Sequence, residues 1–195
     1  MKEPVFDPKK FYRYDSRQER FYIDIDLDFY RELYNEWDFS PQHNRDLDQD
    51  LLDYLEHCCY EIPRRHALCI SLNLPVAVRD PEREKRSIEG FRNYFTYLVR
   101  REQSRSKIYY QKIAAFLTLG SVLLISASLL EHQLNFYLKT NLLSEGILVG
   151  GWVCFWEVFS ILFFQLSEHR KKIRTFSRLL NAQIVFRYRE IVTTV

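Results

Sequence analysis

Two long apolar runs stand out in the hydropathy pattern of the second half of the chain. The first extends from Ile113 to Leu130 and contains no charged residue. The second extends from Gly146 to Leu166, and Glu157 is its only acidic or basic residue. Because about 20 apolar residues suffice to cross a bilayer as a helix, these runs predict transmembrane helices over 113–130 and 146–166. The alternative is a pair of buried helices in a soluble domain.

Outside these runs, a period of two residues marks candidate strands. Residues 21–30 alternate strictly between apolar residues and Tyr or Asp, which is typical of a strand with one buried and one solvated face. Residues 67–74 form a second candidate strand, which Pro75 ends. The tail from Ala182 alternates at Ile184, Phe186 and Tyr188, and we expect it to complete the same sheet.

Helical spacing fills the segments between the candidate strands. Leucines 47, 51, 52 and 55 predict a helix that Asp46 or Asn44 caps and Pro63 ends. From Pro81 onward, an apolar stripe predicts one long helix that continues into the first apolar run; it contains Ile88, Phe91, Phe95 and Leu98. The second run likewise continues as a basic helix after Leu166.

The order of elements predicts an α+β fold with two parts. Residues 108–166 would form a two-helix transmembrane hairpin. Residues 1–107 and 167–195 would form a small cytoplasmic α+β domain, built from both the N- and C-terminal segments.

Charge predicts the orientation in the membrane. Basic residues cluster before the first run and after the second, whereas the connection between them carries only Lys139. By the positive-inside rule, both termini lie in the cytoplasm and the connection lies outside. The N-terminus has no apolar segment typical of a signal peptide. The net charge of +2 indicates little about partners. We expect all four cysteines to stay reduced, because three lie in the predicted cytoplasmic part and one in the predicted membrane helix: Cys58, Cys59, Cys69 and Cys154.

Three short motifs carry a resemblance to a known family. They are RDLD at Arg45–Asp48, NYFTY at Asn93–Tyr97 and GGWVCFW at Gly150–Trp156. In this order the motifs resemble an uncharacterised bacterial family of small two-span membrane proteins. The resemblance implies a two-span architecture and gives no activity. We expect a multi-pass protein of the bacterial inner membrane. The family tends to have Arg-Pro and then an acidic residue after the Trp, which this chain lacks, so no family role is transferred to Glu157.

The carboxylate of Glu157 is the leading candidate for intramembrane chemistry, because a charge at this depth is costly and normally has a partner or a function. One hypothesis is a cation-selective pore lined by a ring of carboxylates. The other is helix packing, with Glu157 hydrogen-bonded to a Ser or Thr. Candidate residues near it are Cys154, Ser160, Thr118, Ser121 and Ser128.

Small residues predict self-association. Gly146 and Gly150 would let another helix approach closely. Two spans cannot enclose a channel, so a pore requires a homo-oligomer, and we expect a tetramer.

Outside the membrane, two charged groups are candidates for binding. Asp24, Asp26 and Asp28 would form a row of carboxylates on one strand face, either a divalent-cation or partner site or a solvated edge. A basic group would contact phosphates of a nucleotide, an oligonucleotide or a lipid, or would act only as a topology signal. That group consists of Arg83, Lys85, Arg86 and Arg92.

The chemistry-bearing residues fit no catalytic or metal-binding pattern. The spacing of His and Cys matches no zinc pattern, and no nucleotide-loop or hydrolase motif is present. We therefore expect no enzymatic activity, no metal and no cofactor.

The sequence hypothesis is an oligomeric channel, gated by a ligand or a partner. Its architecture is analogous to that of membrane effectors in bacterial antiviral defence. The alternative is an anchor or adaptor that tethers a cytosolic partner.

Overall fold

The computed structural model describes residues 7–41, 45–134 and 142–190. It is an α+β fold that divides into two compact units. We call Met1–Arg100 with Ile173–Val195 the α+β unit, and Arg101–Lys172 the helical unit. The strands are β1 (Arg13–Asp15), β2 (Arg20–Asp26), β3 (Ala67–Pro75) and β4 (Gln183–Arg189). The α-helices are α1 (Gln49–Glu61), α2 (Pro81–Leu134), α3 (Leu142–Ser160) and α4 (Leu166–Leu180), and a π-helical turn, Ile161–Gln165, separates the last two.

The four strands form one sheet in the order β1-β2-β3-β4. β1 pairs antiparallel with β2, whereas β2, β3 and β4 are parallel to one another. In the register of the parallel strands, Ile23 lies opposite Ile70, which lies opposite Ile184. The predicted strands at 67–74 and in the tail are therefore confirmed.

The core of the α+β unit lies on one face of the sheet. Ile23 and Ile70 from the strands and Leu55 from α1 are fully buried in one apolar cluster. The same cluster includes Phe95 of α2, whose ring lies 6.4 Å from that of Phe176 in α4. Full burial of such side chains stabilises the fold by about 1.5–3 kcal/mol each. This burial explains why the alternating residues of β2 adopt a strand.

The predicted cap of α1 was wrong. Asp48 caps the helix, since its side chain accepts hydrogen bonds from the amides of Asp50 at 3.0 Å and Leu51 at 3.1 Å. Asp46 instead donates its amide to Asp38 Oδ2 at 2.7 Å, because the chain is still extended where Leu47 bridges to Tyr34. The other predicted cap, Asn44, lies outside the described residues.

The predicted strand over residues 21–30 is shorter in the structure. β2 ends at Asp26, and Tyr30 begins a 3-10 helix that ends at Leu33. The alternation therefore inverts, with Tyr30 buried and Phe29 48% exposed. The hydroxyl of Tyr30 explains the inversion, because it lies 3.2 Å from the Tyr188 hydroxyl and accepts the amide of Asp80 at 3.3 Å.

Two helical stretches, within Pro81–Leu130 and Ser144–Leu180, are long and apolar enough to cross a membrane. Their most apolar windows are only 11% and 22% buried, in contrast to the core helices of a soluble protein, which are mostly buried. The prediction of one helix from Pro81 through the first run is also confirmed, because α2 is 54 residues long.

Inside the helical unit, α2 and α3 approach closely at two glycines. A Cβ atom on Gly120 would lie 3.1 Å from Cys154 Cβ, and one on Gly151 would lie 2.6 Å from Leu124 Cδ2. At both positions, only glycine leaves room for the facing helix without a shift.

The two glycines that the sequence singled out do not make this close contact within the chain. A Cβ on Gly146 would meet no atom within 4 Å, and one on Gly150 would make an ordinary contact of 3.7 Å with Leu123. Their predicted role in packing between copies stays a prediction.

Candidate functional site

Glu157 lies half-buried on α3, beside the face that packs on α2. That packed face includes Cys154, Val158 and Ile161, which are at most 8% exposed. The opposite face exposes large aromatic side chains suited to lipid: Trp152, Trp156, Phe159 and Phe163. Among the residues that the structure describes, none pairs with the carboxylate of Glu157 by a hydrogen bond or an ion pair.

The hydroxyl groups predicted to lie near Glu157 make no hydrogen bond to its carboxylate among the described residues. Thr118 donates to the carbonyl of Ala115, in the preceding turn of its own helix, at 2.9 Å. Ser121 and Ser160 are half-buried, and Ser128 is exposed. The Thr118 hydroxyl therefore donates within its own helix and not to the carboxylate of Glu157.

The strongest polar cluster in the helical unit centres on Glu102, which is 1% exposed. One of its carboxylate oxygens lies 2.7 Å from His169 Nδ1, and the other accepts a hydrogen bond from Arg105 at 3.2 Å. The second ring nitrogen of His169 lies 3.3 Å from the hydroxyl of Tyr109. Leaving a buried polar group without its hydrogen-bond partner typically costs about 1–3 kcal/mol. The contacts of His169 with Glu102 and Tyr109 therefore tie α2 to α4.

Glu102 and His169 were not predicted from the sequence, although a signal for Glu102 is present. Glu102 continues the buried stripe of Phe91, Phe95 and Leu98 at helical spacing. An ionisable residue on an apolar stripe needs a partner, because an unpaired buried charge is costly. The position of that partner, 67 residues later, is set by tertiary structure.

The aspartates on β2 and just after it pair with arginines. Arg13 binds both carboxylate oxygens of Asp24, at 3.0 and 2.6 Å. Arg189 lies 3.4 Å from Asp26 and 2.9 Å from Asp28. Within the described part of the chain, no cluster of three or more His, Cys, Asp or Glu is arranged to hold a metal ion.

Of the four basic residues predicted to contact phosphate, one lines a described cavity. Arg83 borders a cavity of about 540 Å³ at the carboxyl ends of β2 and β3, together with Arg31 and Arg79. It also pairs with Asp80 at 3.1 Å, which reduces the charge available to a ligand. The remaining three, exposed on α2, do not border this cavity: Lys85, Arg86 and Arg92.

The cysteines of the α+β unit are buried free thiols. Burial raises the pKa of the Cys59 thiol to about 12, so at neutral pH it remains protonated and unreactive. Burial also raises the pKa values of Cys58 and Cys69. These thiols pack in the interior of the unit.

No family model, curated protein or solved structure matches this chain. The class is therefore defined by the molecule itself: an α+β protein with two helices that are long and apolar enough to cross a membrane. The polar groups that distinguish it are Glu157 within the second apolar helix and the arginines that surround the sheet.

Proposed function

We propose that the protein is a homo-oligomeric channel of the bacterial inner membrane, gated by a ligand or partner of its α+β unit. The observation that supports this function best is the half-buried Glu157, which has no described partner in its own chain. A carboxylate within an apolar helix needs either a polar partner or water. A ring of copies around a wet path supplies both, and we expect a tetramer.

The orientation follows from the basic flanks, with both termini in the cytoplasm and the α+β unit on the same side. The aromatic face of α3, with Trp152 and Trp156, would then meet lipid, while Glu157 turns toward the neighbouring copies. A ring of carboxylates would select cations. A role as an effector in antiviral defence would fit such a conductance, because uncontrolled ion flow depolarises the cell.

The test is a recording from the purified oligomer in planar bilayers, with and without millimolar ATP on the side of the termini. We expect a cation-selective current in the wild type. Glu157→Gln should keep the oligomer in mild detergent and shift the reversal potential toward that of a non-selective pore. Glu89→Gln, at an exposed position on α2, is the matched control and should leave the selectivity unchanged. A verified oligomer that passes no current under either condition would contradict the channel.

An anchor or adaptor is the second candidate, and the sheet edge favours it. β4 pairs only with β3 in the described sheet, so the backbone of Gln183–Arg189 presents one unpaired edge. A partner strand can add to such an edge. An adaptor has no need for a carboxylate in its membrane helix, so Glu157→Gln would then leave partner capture intact and no current would appear in either protein.

A further inference from the structure

A cavity of about 660 Å³ opens at the amino ends of the parallel strands in the α+β unit. Its wall includes the first residues of β2, β3 and β4, which are Arg20, Ala67 and Gln183. The end of α1 and the following turn form a second wall, and α4 from Ile173 to Arg178 forms a third. The volume falls within the range of about 300–1,000 Å³ typical of small-molecule sites.

The charge of this cavity is one-sided. Arg20, Arg64, Arg174 and Arg178 line it together with His66, and among its described lining residues there is no Asp or Glu. This contrasts with the open face of the same sheet, where Arg13 and Arg189 pair with aspartates. Four guanidinium groups that line one cavity repel one another, and a bound anion would offset this repulsion. Arginine's planar fork of donors matches the oxygens of a phosphate group.

Two buried nitrogens on the cavity wall lack hydrogen-bond partners among the described residues. They are Nε of Arg20 and Nδ1 of His66. The other ring nitrogen of His66 accepts a hydrogen bond from Arg65 Nε at 3.0 Å, so in the neutral ring the unpartnered Nδ1 carries the proton. Both unpartnered atoms are therefore donors. Both atoms are buried even with the cavity open, so a ligand in the cavity does not contact them directly.

Arg178 has a separate role, because its donors are already in use. It donates to the carbonyls of Cys59 and Ile62 at 3.0 and 2.7 Å, and to those of Pro63 and His66 at 2.9 and 3.0 Å. These bonds fix the turn that carries His66 against α4. Arg178 is thus a positioning residue that adds its positive charge to the cavity.

We propose that this cavity binds the phosphate group of a small ligand, with Arg20 and Arg174 as direct contacts. The phosphate belongs either to a soluble nucleotide or to the headgroup of an anionic lipid, since both present the same acceptor oxygens. Binding does not require that the protein conducts ions, so this proposal stands or fails separately from the channel.

The test measures binding to the full-length protein in phosphatidylcholine nanodiscs by calorimetry. The soluble probes are ATP and inorganic pyrophosphate, and the lipid probe is short-chain phosphatidylglycerol below its micellar concentration. We expect one probe class to bind with one ligand per chain. Arg20→Gln and Arg174→Gln should each weaken that binding about 10-fold or more, because each removes a charge-assisted hydrogen bond.

Arg31→Gln is the matched control, because Arg31 borders the cavity at the opposite ends of the strands. It should bind the probe as the wild type does. Melting curves confirm that each variant is folded; if Arg20→Gln is not, Arg174→Gln carries the test, since Arg174 is an exposed helix residue. Binding of ATP or pyrophosphate identifies a soluble ligand, and binding of the lipid alone identifies a headgroup. Absence of binding by all three probes at millimolar concentration, or loss of binding in Arg31→Gln rather than in Arg174→Gln, would overturn the proposal.

Discussion

The paired carboxylate of Asp24 makes the stability of the α+β unit depend on pH. The hydrogen bond from Arg13 holds the pKa of Asp24 below its usual value. A carboxyl group with a lowered pKa in the folded state stabilises the protein above its unfolded pKa of about 3.9. That contribution is lost as the pH falls through the lower folded pKa.

Arg13→Gln should therefore flatten the acid side of the stability curve. Without its partner, the carboxyl group of Asp24 should titrate nearer its ordinary pKa in the folded state, so less stability remains to be lost as the pH falls below about 4. The measurement is the thermal midpoint in detergent across this pH range. Arg17→Gln, an exposed change on the turn after β1, is the control and should keep the wild-type slope. An equal slope in Arg13→Gln and the wild type would refute the coupling.

At the scale of single residues, the sequence indicated where the charged side chains of β2 lie. It did not indicate which residues pair with them. The alternation of β2 placed Asp24 and Asp26 on the face away from the core, where the structure has them. It did not identify Arg13 or Arg189, because those residues come from β1 and from β4, at the other end of the chain. Both pairings depend on the strand order and register, which periodicity does not encode.

The helices show how a shift of one position changes the face that a residue occupies. Gly150 was predicted to allow close packing of another helix, whereas its neighbour Gly151 lies against Leu124 in the structure. Successive residues on an α-helix point about 100° apart, so adjacent glycines serve different faces. Long periodic segments such as α2 and β3 were predictable, whereas β1 was not, because its three residues are all half-buried and show no alternation.

Enlarging Gly151 should loosen the packing of α3 on α2. In Gly151→Leu the new Cβ would lie 2.6 Å from Leu124 Cδ2, so the two helices must separate or Leu124 must move. Overpacking of this kind typically costs about 1–3 kcal/mol and should lower the thermal midpoint. Trp156→Leu is the control, because Trp156 is exposed on the face of α3 that is suited to lipid. If both variants melt at the same temperature as the wild type, the close approach of α2 and α3 is not the packing that stabilises the helical unit.

On the scale of the whole molecule, the basic flanks predict which segments a reagent outside the cell can reach. A single cysteine introduced as Asn135→Cys should react with a membrane-impermeant maleimide in intact cells, because positive-inside charge places the connection outside. Arg17→Cys should react only after lysis. The native cysteines are buried, which keeps the background low. Labelling of Arg17→Cys in intact cells, with protection of Asn135→Cys, would reverse the orientation.

The place of the C-terminal tail in the sheet was predictable from pattern alone. The alternation of the tail indicated a strand, and β4 does pair with β3. The cavity at the amino ends of the strands was not predictable. Its lining comes from β2, from the turn after α1 and from α4, and no local pattern shows that these segments meet.

The pairing of β3 with β4 also sets the order of events during synthesis. β4 begins at Gln183, so the ribosome must translate both apolar helices before the sheet can be completed. Until then β3 has β2 on one side and an open edge on the other, which contains Ile70 and Leu72. An open apolar strand edge recruits other strands. In the proposed membrane arrangement, the apolar helices would enter the translocon before the sheet closes, and a nascent chain that stalls between the two events would expose a segment prone to aggregation.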